Sequence, residues 1–420
     1  MALDIPVGRH TLANGLRIVH SFDPTTAMVA VDVLYDVGSR DEKRTLTGMA
    51  HLFEHLMFGG SANVPSFDSE LEDAGGKNNA WTSSDFTNFY DTVPAQNLDT
   101  ALYLESDRML ALDFSERTLA VQKGVVVEEF KQTCLDRPYG DLFHRLRALA
   151  YGSDHPYSWP TIGLKPEHIG KVTLDDVKEW FYSHYAPGNA ILSIVGNVDF
   201  DTACRRAEAW FGDIPARTTA ARALPAPGFP TSDVVATVEG DVPFPLIVKA
   251  FPMDPYGTKG YFAADTLTDI LSVGRSARLR NRLVNGTAAG LITDSDASVI
   301  GSEEPGLLLL TARLSSNSDA DIARAGELLM EQARALAVPG ELGASELERT
   351  LNNFEATFRF SNTGYLARAT NLATAEYHGE DINRTVSDRR RLTTEDIRLT
   401  ADHIFNDTPS ATVIYRPAAK

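Results

Sequence analysis

The residues best suited to do chemistry in this chain are His51, Glu54 and His55, in the run TGMAHLFEHLMFGG at residues 47–60. On a helix, positions i and i+4 project from one face, and position i+3 lies beside them. Two neutral imidazoles placed this way can share one zinc ion. A neighbouring carboxylate outside the coordination sphere can take the proton of a water that attacks a carbonyl. A buried helix with hydrogen-bonded histidines would show the same spacing. A catalytic zinc usually takes three protein ligands, so a third is expected downstream. The stretch TLAVQKGVVVEEFKQ (residues 118–132) reads as a helix carrying the adjacent acids Glu128 and Glu129. Neighbouring helix positions point about 100° apart, so at most one acid faces the ion, and we take Glu129.

These groups need a scaffold. GLRIVHS and AMVAVDVLYDVGSR alternate as strands do, residues 47–58 follow as a helix, and NFYDTVP returns as a strand. Residues 216–232 concentrate Pro, Ala and Thr without apolar periodicity, as a linker would. Beyond them VVATVEG and PLIVKAFPMD are strand-like, and YFAADTLTDILSVG is a helix. The order strand, strand, helix therefore recurs. It predicts two copies of one α+β unit, at residues 1–215 and 233–420. DADIARAGELLMEQARALA and GASELERTLNNFEATFRF have the periodicity of packed amphipathic helices.

Composition narrows the classes. The chain has 420 residues, 43% hydrophobic and 23% charged, which predicts folded cores rather than disorder. Two cysteines, Cys134 and Cys204, give no disulfide scaffold and no cysteine-rich zinc module; both are expected to be unreactive interior thiols. The 39 basic and 57 acidic residues, a formal charge of −18, oppose binding to nucleic acid or an anionic membrane. No apolar run reaches the length of a membrane span, and the opening residues lack the pattern of a secretory leader. The expected location is cytoplasmic, or periplasmic if a signal peptide has been removed, in a bacterium. His144, His155 and His168 have no metal-ligand spacing, and His155 is expected in a Pro-bounded turn. SVGRSARLRNRLV is expected to be a helix with snorkelling arginines.

His51-Leu52-Phe53-Glu54-His55 has the inverted zinc motif of the inverzincins. With TLANGLRIV, GMAHLFEHLMFGGS, NNAWTSSDFTNFYDTVP, VVVEEFKQ, PYGD, HPYSWPTIG and YAPGNAILSIVGNVD in order, the chain resembles the M16 zinc metallopeptidases. The likeness is to the pitrilysin and mitochondrial processing peptidase group, and within it to the short M16B branch. The resemblance implies two homologous domains of the LuxS/MPP-like type, each a mostly antiparallel sheet with helices packed on one face. It also implies a catalytic Zn2+ ligated by His51, His55 and Glu129, which stands 74 positions after His55. A further glutamate that the family often carries seven residues earlier is Gln122 here.

The family holds extended peptides by adding them to a strand near the metal. The matching segment implies substrate contacts at Asn79 and Ala80; Phe58 and Trp81 are candidates to line an adjacent pocket, with a place in the core as the alternative. Active single-chain members also carry an arginine and a tyrosine seven apart in the second half. Here those positions hold Gly286 and Thr293, and TLTDI (residues 266–270) stands near the place of the zinc motif. The implied protein is a zinc endopeptidase catalytic subunit whose partner is a homologous M16 chain with the arginine and tyrosine. A noncatalytic assembly or peptide-binding subunit is the alternative.

Overall fold

The computed structural model describes residues 4–219, 221–301 and 303–418. Ala220, within the 216–232 segment, lies outside the described residues. The first sheet holds β1 (Gly8–Thr11), β2 (Arg17–Phe22), β3 (Met28–Tyr35), β4 (Lys77–Thr82), β5 (Thr87–Pro94) and β6 (Ala190–Gly196), in the order β1-β2-β6-β3-β5-β4. Only the β2–β6 pairing is parallel. The principal helices of this half are α1 (Met49–Leu56), α2 (Leu98–Leu110), α3 (Glu116–Phe130), α4 (Leu142–Tyr151) and α5 (Phe200–Phe211).

The second sheet holds β7 (Val234–Gly240), β8 (Leu246–Met253), β9 (Ile292–Ile300), β10 (Gly306–Leu314) and β11 (Ala411–Pro417), in the order β7-β11-β8-β10-β9. The principal helices of this half of the chain are α6 (Lys259–Ser272), α7 (Asp319–Ala335), α8 (Ala344–Ser361) and α9 (Tyr365–Tyr377). Apart from β1, the two sheets follow one path. Each is mostly antiparallel with one parallel pair, β2–β6 or β7–β11. The expected α+β repeat is present.

Alternation along the strands assigns the faces. In β3, Val29, Val31, Val33 and Tyr35 share a core with Phe53 of α1, Leu102 of α2 and Phe211 of α5. Ala30 and Leu34 point the other way, onto Ala369 and Leu372 of α9. In β8, Ile247, Phe251 and Met253 meet Leu267 of α6 and Leu329 of α7. Leu246, Val248 and Ala250 meet Leu146 and Ala150 of α4. A helical layer thus lies on one face of each sheet, and a single helix covers the other face.

That single helix comes from far along the chain, so the compact units do not follow one cut. One unit comprises Met1–Lys131, Pro160–Ala223 and Ala356–Ser387; the other comprises Gln132–Trp159, Leu224–Glu355 and Asp388–Lys420. The segment at 216–232 separates the sheets in chain order, but α4 belongs by packing to the second sheet and α9 to the first. Apolar periodicity predicts that a helix is buried, but not against which sheet. SVGRSARLRNRLV also departs from its expectation. Residues Arg280–Thr287 form a π-helical turn, and Arg278 is buried in ion pairs with Glu346 at 2.7 Å and Glu341 at 3.1 Å rather than snorkelling.

Candidate active site

The motif helix begins where glycine is required. Gly48 has φ +88°, and a Cβ there would come within 2.9 Å of the Ile162 carbonyl oxygen. The first backbone N–H groups of α1 are capped by one carboxylate: Glu42 accepts from Gly48 N at 3.0 Å and Ala50 N at 2.9 Å. An anion at this end also suits the helix dipole. Met49, Ala50, Leu52, Phe53 and Leu56 are buried, which turns His51, Glu54 and His55 to the half-exposed side of α1. There α1 packs against α3 and β4.

The structure brings His51, His55 and Glu129 together. Glu129 Oε2 lies 3.7 Å from His51 Nε2 and 3.5 Å from His55 Nε2. Tetrahedral zinc with bonds of about 2.0–2.2 Å has ligand-to-ligand edges of about 3.3–3.6 Å, so these separations suit the ion. Among the described residues this is the only group of three or more His, Cys, Asp or Glu side chains that could hold a metal. Glu128, its neighbour in sequence, turns away to Lys131 at 3.2 Å.

Electrostatics favour the states that ligation needs. Burial pushes the His51 imidazole down to about 4, so it is neutral near pH 7, as a zinc ligand must be. The hydrogen bond with His55 holds the Glu129 carboxyl below its ordinary value. Burial raises Glu54, partly offset by the Thr82 hydroxyl, which donates to Glu54 Oε2 at 2.5 Å. A carboxylate shifted upward is a stronger base.

β4 is the outer strand of its sheet. Ala80 packs on the core that includes α1, and Thr82 reaches Glu54, so these two side chains face the motif helix. Asn79 and Trp81 alternate to the opposite face, where Trp81 is set against Asn88, whose amide donates to Asp32. Asn79 Oδ1 accepts the Ala80 N–H at 2.9 Å. Strand alternation turns Trp81 to the face of β4 away from the motif helix, whereas Phe58 lies on the core side. Phe58 is half-buried and packs against the core, edge-on to Phe67 at 5.5 Å, with the Arg108 guanidinium 5.2 Å from its ring centre. Gln122 lies beside the Gly59 turn after α1.

In the other unit, Gly286 falls in the π-helical turn and Thr293 on β9, the edge strand at the place that β4 holds in the first sheet. His155 caps the short 3-10 turn Pro156–Ser158 by accepting from Tyr157 N, and His168 Nδ1 pairs with Thr47 Oγ1 at 2.8 Å. Neither Cys134 nor Cys204 forms a disulfide; Cys134 is buried, whereas Cys204 is only partly so, its thiol pushed up by burial.

Sequence reasoning missed Glu42, Thr82 and a buried charge cluster under Phe58. In that cluster Arg108 pairs with Glu105 and stacks on Phe67 and Phe89, at 4.3 and 4.5 Å. Asp91 lies beside the pair, its carboxyl pushed up by burial and by the charge of Glu105. The i, i+3 acid–arginine spacing of Glu105 and Arg108 in LYLESDRML was the available signal.

Residues 17–153 match the model for "Insulinase (Peptidase family M16)" and residues 171–354 that for "Peptidase M16 inactive domain". The chain is 29% identical over 420 residues to the zinc protease PqqE of Helicobacter pylori, covering 97% of this chain and 92% of the relative. A crystal structure of a protease from Helicobacter pylori superposes with a TM-score of 0.88 at 27% identity, covering 98% of this chain and all of that one. The periplasmic protease PqqL of Escherichia coli shares the fold, with a TM-score of 0.80 at 18% identity over 99% of this chain and 48% of that chain. The chain belongs to the M16 family of peptidases, with one insulinase-type and one inactive-type domain.

Proposed function

We propose that this chain is the zinc-binding catalytic subunit of an endopeptidase that hydrolyses extended peptides. The observation that carries the reading is the meeting of His51, His55 and Glu129, with Glu54 between the two histidines on the same helix. Zinc held by those three side chains would polarise the scissile carbonyl and lower the pKa of a bound water. The remaining work falls to the chain itself. Glu54, half-buried and raised, takes a proton from the attacking water and returns it to the leaving amine. The outer strand β4 receives the peptide backbone near Asn79 and Ala80, and Thr82 ties that strand to the base. Phe58, half-buried just after the motif helix, can line a pocket beside that strand, whereas Trp81, on the far face of β4, contributes by shaping the strand.

The partner is a homologous M16 chain. Gly286 and Thr293 stand where the family's substrate-gripping arginine and tyrosine are expected, and neither can make their contacts. That one length of this fold spans about half of PqqL supports an assembly built from two such lengths. Among the described residues no helix is long and apolar enough to cross a membrane. The working location is cytoplasmic, or periplasmic after loss of a leader.

The test is hydrolysis of an unstructured fluorogenic peptide by this chain alone, by an arginine- and tyrosine-bearing M16 partner alone, and by the mixture. Activity should belong to the mixture and fall by about 10²-fold or more in Glu54→Gln, the usual scale of general-base loss. Full activity of Glu54→Gln would contradict the assigned base. Full activity of this chain by itself would contradict the shared site.

A further inference from the structure

The side of α3 that faces the metal group does not end at Glu129. Val125 and Val121 stand four and eight residues before it and are 45% and 56% exposed. At about 100° per residue these positions fall about 40° and 80° to one side of Glu129. Val126, Leu119 and Phe130, the buried residues of α3, fall about 60–100° to the other side. Both valines therefore lie on the flank of the metal group that the core does not use. Glu128, the acid next along that flank, is turned to Lys131, so the surface between Glu129 and Val121 presents hydrocarbon.

Three elements run alongside one another here. Glu129 meets His51 and His55, whereas Thr118 and Gln122 lie by Gly59, so α3 runs antiparallel to α1. Thr82 reaches Glu54, whereas Ala80 pairs with Phe89, whose ring is 5.9 Å from that of Phe58, so β4 also runs antiparallel to α1. From the metal group toward Phe58, the site is thus flanked by Val125 and then Val121 on α3, and by the edge of β4, which packs against α1 as α3 does. An extended peptide rises about 3.3 Å per residue, so its side chains on one face recur about every 6.6 Å. Four helical residues advance about 6 Å, the interval from Glu129 to Val125 and again to Val121. The two repeats match. With the scissile bond at the metal group, Val125 comes level with the second residue from that bond and Val121 with the fourth.

We propose that Val125 and Val121 form two apolar subsites that read the second and fourth residues on one side of the scissile bond, so that the substrates are extended peptides with apolar side chains at alternate positions there. The inference rests on the endopeptidase reading above and names the substrate class for that same site. A leucine or phenylalanine at either place covers a valine and removes apolar surface from water. A charged side chain there gives up hydration and gains no partner. All the residues concerned belong to the first unit.

The test uses the mixture of this chain with the arginine- and tyrosine-bearing M16 partner. The substrates are unstructured peptides in which each residue near one cleavage site is in turn leucine, lysine or aspartate, and cuts are located by mass spectrometry. Leucine should be preferred over aspartate by about tenfold or more at the second and fourth residues on one side of the cut. Val125→Thr, of nearly the same shape, should reduce the preference at the second residue by about three- to tenfold. Val121→Asp should turn the preference at the fourth residue from leucine to lysine. Zinc content should be unchanged in both variants. The same peptides, held without hydrolysis by the mixture made with Glu54→Gln, should bind in the same order by fluorescence anisotropy. Cleavage without selectivity at these residues, or with selectivity that neither variant alters, would overturn this inference alone. So would loss of the mixture in Val121→Asp, seen by sedimentation, because the valines would then be partner contacts. No cleavage of any peptide by the wild-type mixture would overturn the endopeptidase reading, and this inference with it.

Discussion

The two sheets share a strand path, but the helices laid on them place charge differently. In the first unit α2 buries Glu105 and Arg108, with Asp91 of β5 beside them, directly under the segment that follows the motif helix. With Leu98 of α2 set against Ile322 of α7, the positions of Glu105 and Arg108 hold Leu329 and Gln332, both buried. The helix after β3 turns two imidazoles and a carboxylate outward. The helix after β8, α6, buries Thr266 and Leu267 and holds Asp269, which burial and Asp265 push up to about 6. Among the described residues no metal-binding group forms there. The comparison teaches that apolar periodicity preserves the fold in both copies, while the chemistry rests on a few polar substitutions that one copy has and the other lacks.

The comparison can be broken first at the buried charges. Arg108→Met leaves Glu105 and Asp91 without their cation, and breaking a buried pair in this way costs about 3–5 kcal/mol. Gln332→Met at the matching position should cost no more than about 1 kcal/mol, since no buried ion is abandoned. Urea unfolding of both variants provides the measurement, and equal losses would show that the buried cation is not what distinguishes the units.

A smaller effect sharpens the metal site. Glu129→Gln should weaken zinc binding by about a hundredfold, because a neutral amide poorly replaces an anionic ligand. Glu128→Gln, whose carboxylate is turned to Lys131, should leave affinity within about twofold. Competition with a chelator separates them, and the reverse order would reassign the third ligand.

The smallest effect concerns Thr82. Its hydroxyl lowers the Glu54 pKa, so Thr82→Val should raise that pKa further. As the proposed base, Glu54 must work deprotonated, so activity should fall as pH drops through its pKa. The acid limb of kcat/KM should therefore move to higher pH, with a loss of about three- to tenfold at neutral pH and zinc content unchanged. An unmoved acid limb would mean that the Thr82 bond does not act on the base.

Much of this was legible in the sequence. H-x-x-E-H on an apolar helix fixes which face three side chains share, and a valine-rich helix with adjacent acids supplied Glu129. β7 ran over the residues expected of it, because alternating β-branched residues leave few other choices. The exchange of α4 and α9 between sheets was not legible, since amphipathicity records that a face is buried without naming what buries it. Which face of β4 carries Trp81 was not read from the sequence, although alternation from Thr82 sets it away from the motif helix. Glu42 acts through partners 6 and 8 residues away, Thr82 through one 28 away and Arg108 through one 3 away, and only the last spacing has a local signature.

The central claim is that zinc sits on the first unit and is held by three named side chains. Anomalous X-ray scattering from crystals of the zinc-loaded chain, collected on both sides of the zinc edge, tests it most directly. The account predicts a single peak per chain, about 2.0–2.2 Å from His51 Nε2, His55 Nε2 and a Glu129 carboxylate oxygen. No peak there, or a peak held by other side chains, would contradict it.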